Sequence, residues 1–252
     1  MRRLGRGGPC APRGTLPGVG RVLLNLDLGE LPDEPEALYA CADLAHLACG
    51  GHAGDEASMA EALARCRRHG TRAGAHPSYP DREGFGRRAL PLAPAALAAS
   101  VEEQCARLGA LARLAELRLW SVKPHGALYH AADADPALAE AVVEGTRRAL
   151  GADLTLVGPG GGALAAAAAA RAMPFAREGF ADRAMRREGG RWRLVPRGEP
   201  GALLVDPAAA AAQARAFAES GEFETLCVHG DTPGALAVAR AVRAALDALP
   251  AR

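Results

Sequence analysis

The chain has 252 residues, a formal net charge of +1 and 49% hydrophobic residues, enough for one sizeable core and a length usual for a single α/β barrel. Acidic and basic side chains are interspersed, which argues against a nucleic-acid groove or an anionic membrane surface and points to a small-molecule ligand. The longest apolar run, Gly162 to Ala170, is mostly alanine and too short to span a bilayer, so no membrane anchor is expected.

Residues 1–20 are rich in Gly, Pro and Arg and lack the apolar stretch of a secretory signal; they are expected to form a disordered leader, with one domain over residues 21–252. Arg21 to Glu30 is a near-continuous apolar run, the pattern of a strand buried on both faces of a parallel sheet, with its polar residues at the C-terminal end. Ala45 to Cys49 repeats the pattern and leads into a helix from about Glu56 to His69, with Met59, Leu63 and Cys66 on one face. A third strand, Arg72 to Ala75, ends in a long polar loop from His76 to Arg88, and loops of that length in compact domains are usually functional. A helix from Pro94 to Leu117 follows, then a strand from Leu117 to Val122 and a helix from Pro136 to Leu150.

Leu154 to Val157 reads as the fifth strand. It ends at Gly158-Pro-Gly-Gly-Gly162, which lacks the Lys-Ser/Thr of a phosphate-binding loop and is read as a tight turn. Met173 to Arg177 is the sixth strand, and residues 186–204 are a hairpin-like insertion turning at Glu188-Gly-Gly190. A helix from Pro207 to Ser220, a strand from Thr225 to Val228 and a last helix to about Leu249 complete seven βα units. The expected fold is therefore α/β, a seven-stranded parallel barrel like the TIM barrel, with its site at the C-terminal ends of the strands.

The polar residues fall at those ends. Asn25, Asp27 and Glu30, then His52 and Asp55, His76 and Asp81, Lys123 and His125, Glu178 and Asp182, and His229 and Asp231 come from six of the seven strand ends. Lys123 is the only lysine and Asn25 the only asparagine in a chain that has no isoleucine, as strong GC bias would produce, so each residue that resists the drift is a candidate for a specific task. Pro124 holds the backbone extended, and the Lys123 ammonium is expected to point into the mouth of the barrel. The six cysteines lack the spacing of a zinc knuckle or a secreted scaffold, which fits a reduced, cytoplasmic protein. Cys49, beside Gly50-Gly51-His52, is the one weighed as a nucleophile.

The segments Asn25-Leu-Asp-Leu-Gly-Glu30, Ala48-Cys-Gly-Gly-His-Ala-Gly-Asp55, Gly74-Ala-His-Pro-Ser-Tyr-Pro-Asp81, Gly84-Phe-Gly-Arg-Arg88, Val122-Lys-Pro-His-Gly-Ala-Leu-Tyr129, Arg177-Glu-Gly-Phe-Ala-Asp-Arg183, Leu194-Val-Pro-Arg197 and Cys227-Val-His-Gly-Asp-Thr-Pro-Gly-Ala235 resemble, in order, the motifs of the LamB/YcsF family. That resemblance implies a seven-stranded βα barrel akin to polysaccharide deacetylases and some glycosidases. It also implies the A subunit of an ATP-dependent 5-oxoprolinase, which opens the lactam of 5-oxo-L-proline to L-glutamate together with subunits B and C. ATP would then be a co-substrate, with its Mg on the partner subunits, and no tightly bound cofactor is expected. Self-association is left open.

Catalysis would fall to Asp27, His52, His76, Lys123 and His125. Substrate binding would fall to Asn25, Glu30, Asp55, Tyr79, Arg87, Glu178, Asp182, Arg183, His229 and Asp231. No metal is expected, because the Lys123 ammonium would repel a nearby divalent ion. Two alternatives stand beside this reading: a metal-dependent amidohydrolase or deacetylase using Asp27, His52 and His76, and a non-catalytic binding subunit. The chain departs from the family pattern at Leu23, Leu26, His46, Gly51 and His130, and the Phe missing at Gly51 is expected to leave room beside His52.

Overall fold

The computed structural model describes residues 21–250, so the expected leader lies outside the described residues. In chain order the elements are β1 (Leu23–Leu28), α1 (Ala37–Cys41), β2 (Leu44–Ala48), α2 (Glu56–His69), β3 (Arg72–His76), α3 (Pro94–Leu114), β4 (Leu119–Val122), α4 (Gly126–Ala134), α5 (Pro136–Leu150), β5 (Thr155–Gly158), α6 (Ala163–Ala170), β6 (Phe175–Phe180), β7 (Met185–Glu188), β8 (Arg191–Leu194), α7 (Pro207–Ser220), β9 (Thr225–His229) and α8 (Ala235–Asp247). Seven parallel strands close in the order β1-β2-β3-β4-β5-β6-β9, and β7 and β8 form a separate antiparallel hairpin. Among the described residues no helix is long and apolar enough to cross a membrane.

Local chemistry accounts for the element ends. Asp55 accepts from the Ser58 amide while the Ser58 hydroxyl satisfies the Asp55 amide, a reciprocal cap that starts α2. Gly70, at φ 69°, ends α2 in the left-handed conformation that costs glycine nothing. Asp135 and Asp206 cap α5 and α7 ahead of prolines at the first turn.

All residues of β1 and β2 are buried, as strands covered on both faces require. Leu24, Leu26 and Leu28 join the main apolar core, whereas Asn25 and Asp27, on the opposite face of β1, point into the barrel.

Some details differ from expectation. The β1–β2 connection holds the short α1, and α4 begins directly after His125, so the fourth crossover carries two helices. The sixth strand runs to Phe180, which places Glu178 inside it rather than in the loop beyond. A charged residue breaks the apolar pattern of a strand, but inside this barrel Glu178 faces the Asn25 amide of β1 and the Lys123 ammonium at the end of β4.

Candidate functional site

Asp27, from β1, and Lys123, just past β4, meet inside the barrel with Lys123 Nζ 2.5 Å from Asp27 Oδ1. The same ammonium lies 3.0 Å from Glu178 Oε1, donates to Asn25 Oδ1 at 3.0 Å and approaches Cys227 Sγ at 3.3 Å. Asn25 is oriented in turn, because its Nδ2 donates to Glu178 Oε1 at 3.0 Å and to Thr225 Oγ1 at 2.8 Å. Lys123 is 1% exposed and forms the floor of a cavity, so its ammonium sits deeper than the expected position in the open mouth. Burial alone would lower its pKa, but Asp27, Cys227 and Glu178 outweigh burial and hold it well above the usual value. For Asp27, burial pulls upward and is outweighed by His76 and Lys123, so the carboxyl stays well below the usual range.

Beside this centre stand Glu30, His52 and His125 from the loops beyond the strands and His76 at the end of β3. His52 Nε2 lies 2.9 Å from Glu30 Oε1, His125 Nδ1 lies 3.2 Å from the same oxygen, and His76 Nε2 lies 3.8 Å from it. The His52 and His125 rings stack 3.6 Å apart, 4° from parallel. Burial depresses the His52 pKa to about 4 despite the Glu30 carboxylate, which leaves the ring neutral at physiological pH.

The loops after β3 and β4 interlock around these rings. Gly126, at φ 55°, brings its amide neighbour Ala127 onto Gly86 O at 2.9 Å, and a Cβ there would lie 2.6 Å from that same oxygen.

The cavity above encloses about 410 Å³, within the range of small-molecule sites, and its walls include Arg87, Tyr129, Phe180, Arg183, Arg197 and His229. His229 Nδ1 is 3.0 Å from the buried Asp182, which outweighs burial and raises the imidazole pKa. Its ring also stacks on Phe180. Arg87 pairs with Asp231, and Arg183 donates to the carbonyls of Val195 and Ala202. Residues Leu194 to Arg197, at the end of β8 and beyond, form one wall, which brings the inserted hairpin into the site.

Most of the residues chosen from sequence therefore converge, and a few do not. Asp55 caps α2 and lies outside the cavity. Tyr79 is buried in the apolar core, 1% exposed, and does not line the cavity. Burial pushes the Cys49 thiol up to about 12, which leaves it protonated and inert as a nucleophile.

Asp27, His52 and His76 do not form one ligand set, because the proton-bearing Nε2 of His52 is engaged with Glu30. The groups that do cluster are Glu30 with His76 and His125, and Asp27 with Cys227 and His229. Gly51 opens no space beside His52, since a Cβ there would collide with Gln104 Oε1 and Ser78 Oγ. The glycine loop after β5 is a turn whose nearest anion is the protein's own Asp133 carboxylate, packed against Gly162.

Sequence reasoning did not select His46, which accepts from Ser121 Oγ at 3.0 Å and donates to Asn25 Oδ1 at 3.2 Å, bracing the residue that holds Lys123. Nor did it select Tyr129, His130, Phe180 and Arg197 on the cavity wall, although Tyr129, Phe180 and Arg197 lie within the motifs quoted above.

The sequence matches the LamB/YcsF family over residues 22–251. A protein of Methylococcus capsulatus, named as the A subunit of 5-oxoprolinase, is 45% identical over 242 residues, spanning 89% of this chain and 92% of that protein. One of the same name from Chloroflexus aggregans is 42% identical over 243 residues, spanning 89% and 94%. The crystal structure of a lactam utilization protein from Thermus thermophilus matches with a TM-score of 0.82 at 36% identity, covering 90% of this chain and 96% of that one. With its barrel, its strand-end motifs and this breadth of similarity, the chain belongs to the LamB/YcsF family.

Proposed function

We propose that the chain is the A subunit of an ATP-dependent 5-oxoprolinase, which with partner subunits B and C hydrolyses 5-oxo-L-proline to L-glutamate in the cytoplasm. The names of its relatives support the reaction class. The observation that carries the reading is the Asp27–Lys123–Glu178 centre at the floor of a small cavity, beside a carboxylate ringed by three histidines.

A lactam is a stable amide. Opening it requires stabilisation of the oxyanion, an oriented water and a proton for the departing nitrogen. Lys123 supplies a fixed cation for the developing oxyanion, and the Glu30–histidine group holds and orients the attacking water. His229, whose pKa Asp182 raises against the effect of burial, donates to the ring nitrogen as the C–N bond breaks. The guanidinium of Arg183, anchored on two carbonyls, suits the substrate carboxylate.

Nucleotide phosphates and Mg²⁺ sit with the partner subunits in this reading, because the sequence carries no glycine-rich loop ending in Lys-Ser/Thr. The test is to purify the chain with candidate B and C subunits and follow glutamate release from 5-oxoproline. Release is expected only with ATP and all partners present; ATP-driven turnover by the isolated chain contradicts the division of labour.

A further inference from the structure

His76 and His125 each commit one ring nitrogen to a backbone carbonyl. His76 Nδ1 lies 2.7 Å from Lys123 O, and His125 Nε2 lies 3.0 Å from Phe85 O. A carbonyl oxygen only accepts, so in each neutral ring the hydrogen is fixed on that nitrogen and the other nitrogen is a bare lone pair. The two bare nitrogens, His76 Nε2 and His125 Nδ1, face each other at 3.0 Å. Glu30 Oε1 lies 3.2 Å from the His125 nitrogen and 3.8 Å from the His76 nitrogen. With both rings neutral, this geometry brings three lone-pair donors together without a hydrogen among them, an arrangement that a bound cation relieves.

We propose that Glu30, His76 and His125 bind a first-row divalent metal ion of the zinc class, with the fourth position left to water beside Asp27. Four independent features fit. Tetrahedral ligands at about 2.0–2.1 Å from zinc stand roughly 3.3 Å apart, and the three observed separations bracket that value. Two histidines and one glutamate are a known catalytic zinc set, and each histidine has the carbonyl partner that typically orients a metal-binding imidazole. Phe85 holds a left-handed φ of 53°, a conformation a bulky residue adopts only when its surroundings impose it, and its carbonyl meets His125. His52 completes the support: its Nε2 donates to Glu30 Oε1 and its ring lies flat on His125.

Charge gives the same answer. Asp27, Glu30 and Glu178 bring three buried carboxylates against the single ammonium of Lys123, a formal surplus of two negative charges that one dication cancels. The repulsion expected between Lys123 and a metal is mediated by Asp27, whose Oδ1 faces the ammonium while its Oδ2 faces His76 at 3.4 Å. His76 and His125 also line the cavity, so water and substrate have access.

The inference deepens the proposed function and rests on it only for the bond attacked. Water held there loses its proton to a neighbouring carboxylate, hydroxide adds to the lactam carbonyl carbon, and the C–N bond breaks with the proton passing to nitrogen.

The test uses the full chain, stripped with a chelator, dialysed and titrated near neutral pH with Co(II) and separately with Zn(II). Expected are one equivalent bound by elemental analysis, the intense visible bands of a low-symmetry Co(II) site, and displacement of Co(II) by Zn(II). His125→Gln and Glu30→Gln should each weaken binding by at least about 10–100-fold, the loss typical of outer-shell changes alone. Asp55→Ala, which removes a helix cap and no ligand, should bind like wild type. Wild-type chain that takes up no stoichiometric Co(II) or Zn(II) overturns the proposal without recourse to any variant. So do folded His125→Gln and His76→Gln proteins that bind as tightly as wild type. Metal uptake without 5-oxoproline turnover, when ATP and the partner subunits are supplied, supports the site and removes only the substrate assignment. Lactam turnover by protein that binds no metal overturns the site and leaves that assignment standing.

Discussion

Replacing Lys123 by Met tests whether the centre of the barrel is held by charge. The ammonium is 1% exposed and sits 2.5 Å from Asp27 Oδ1 and 3.0 Å from Glu178 Oε1, and no other lysine exists in the chain to substitute for it. Met matches the stem but removes the charge, leaving two buried carboxylates without their shared cation. Breaking a buried ion pair by deleting one partner costs about 3–5 kcal/mol, against about 0–1 kcal/mol for an exposed pair. In a domain of this size each kcal/mol moves the melting temperature by about 2–4 °C, so Lys123→Met should melt roughly 6–20 °C below wild type. Adding Glu178→Gln should recover part of the loss, because one stranded charge disappears.

Lys123→Arg keeps the charge but forces a longer, planar group into a filled floor, which typically costs about 1–3 kcal/mol. It should also cut turnover about 100–1000-fold if the ammonium stabilises an oxyanion. The assays are thermal melts by circular dichroism and glutamate release with the partner subunits. A Lys123→Met protein melting within about 2 °C of wild type would show that the carboxylates do not depend on this cation, and the electrostatic account of the floor would be wrong.

Asp55→Ala should lower stability by about 1 kcal/mol through loss of the α2 cap and leave KM and kcat unchanged; a selective rise in KM would return Asp55 to the substrate site. Gly51→Ala should destabilise by about 1–3 kcal/mol in urea unfolding, because its methyl meets the Gln104 amide, which is fixed to the backbone of Ser78. The Asp182–His229 pair is distinguished by its pH dependence. The folded pKa of His229 is raised, so its stabilisation is complete below the ordinary imidazole value of about 6.5 and is lost as pH rises through the folded value. The melting difference between wild type and Asp182→Asn should therefore shrink as pH rises above about 6.5, and a difference that grows with pH would contradict the pairing.

The barrel was legible because buried parallel strands leave unbroken apolar runs and each run ended in polar residues. Position along a strand is local information, whereas facing partners are not. Glu178 looked like a loop residue because its carboxylate interrupts an apolar run; its compensation comes from Asn25 and Lys123, far away in sequence. Tyr79 became a candidate through the family motif that contains it, yet its ring is buried in the apolar core. Asp55 carried both meanings at once, and the serine three residues later, whose hydroxyl closes the cap, was the signal that decided it. The orientation of the His76 and His125 rings had no signal in sequence, since it is fixed by the backbone carbonyls of Lys123 and Phe85.

The strand order also governs how the molecule is made. β1 finds β2 early, but its other edge pairs with β9, and β9 in turn seals β6. Asp27 and Cys227, neighbours across that seam, are separated by 200 positions in the chain. Until β9 leaves the ribosome, the nascent sheet is an open arc with raw edges at β1 and β6, the kind of exposed backbone that invites mispairing. Closure of the ring and completion of the charged floor are thus one late event. A chain cut before Thr225 would be a client for chaperones and proteases, with no finished charged floor to show for its synthesis.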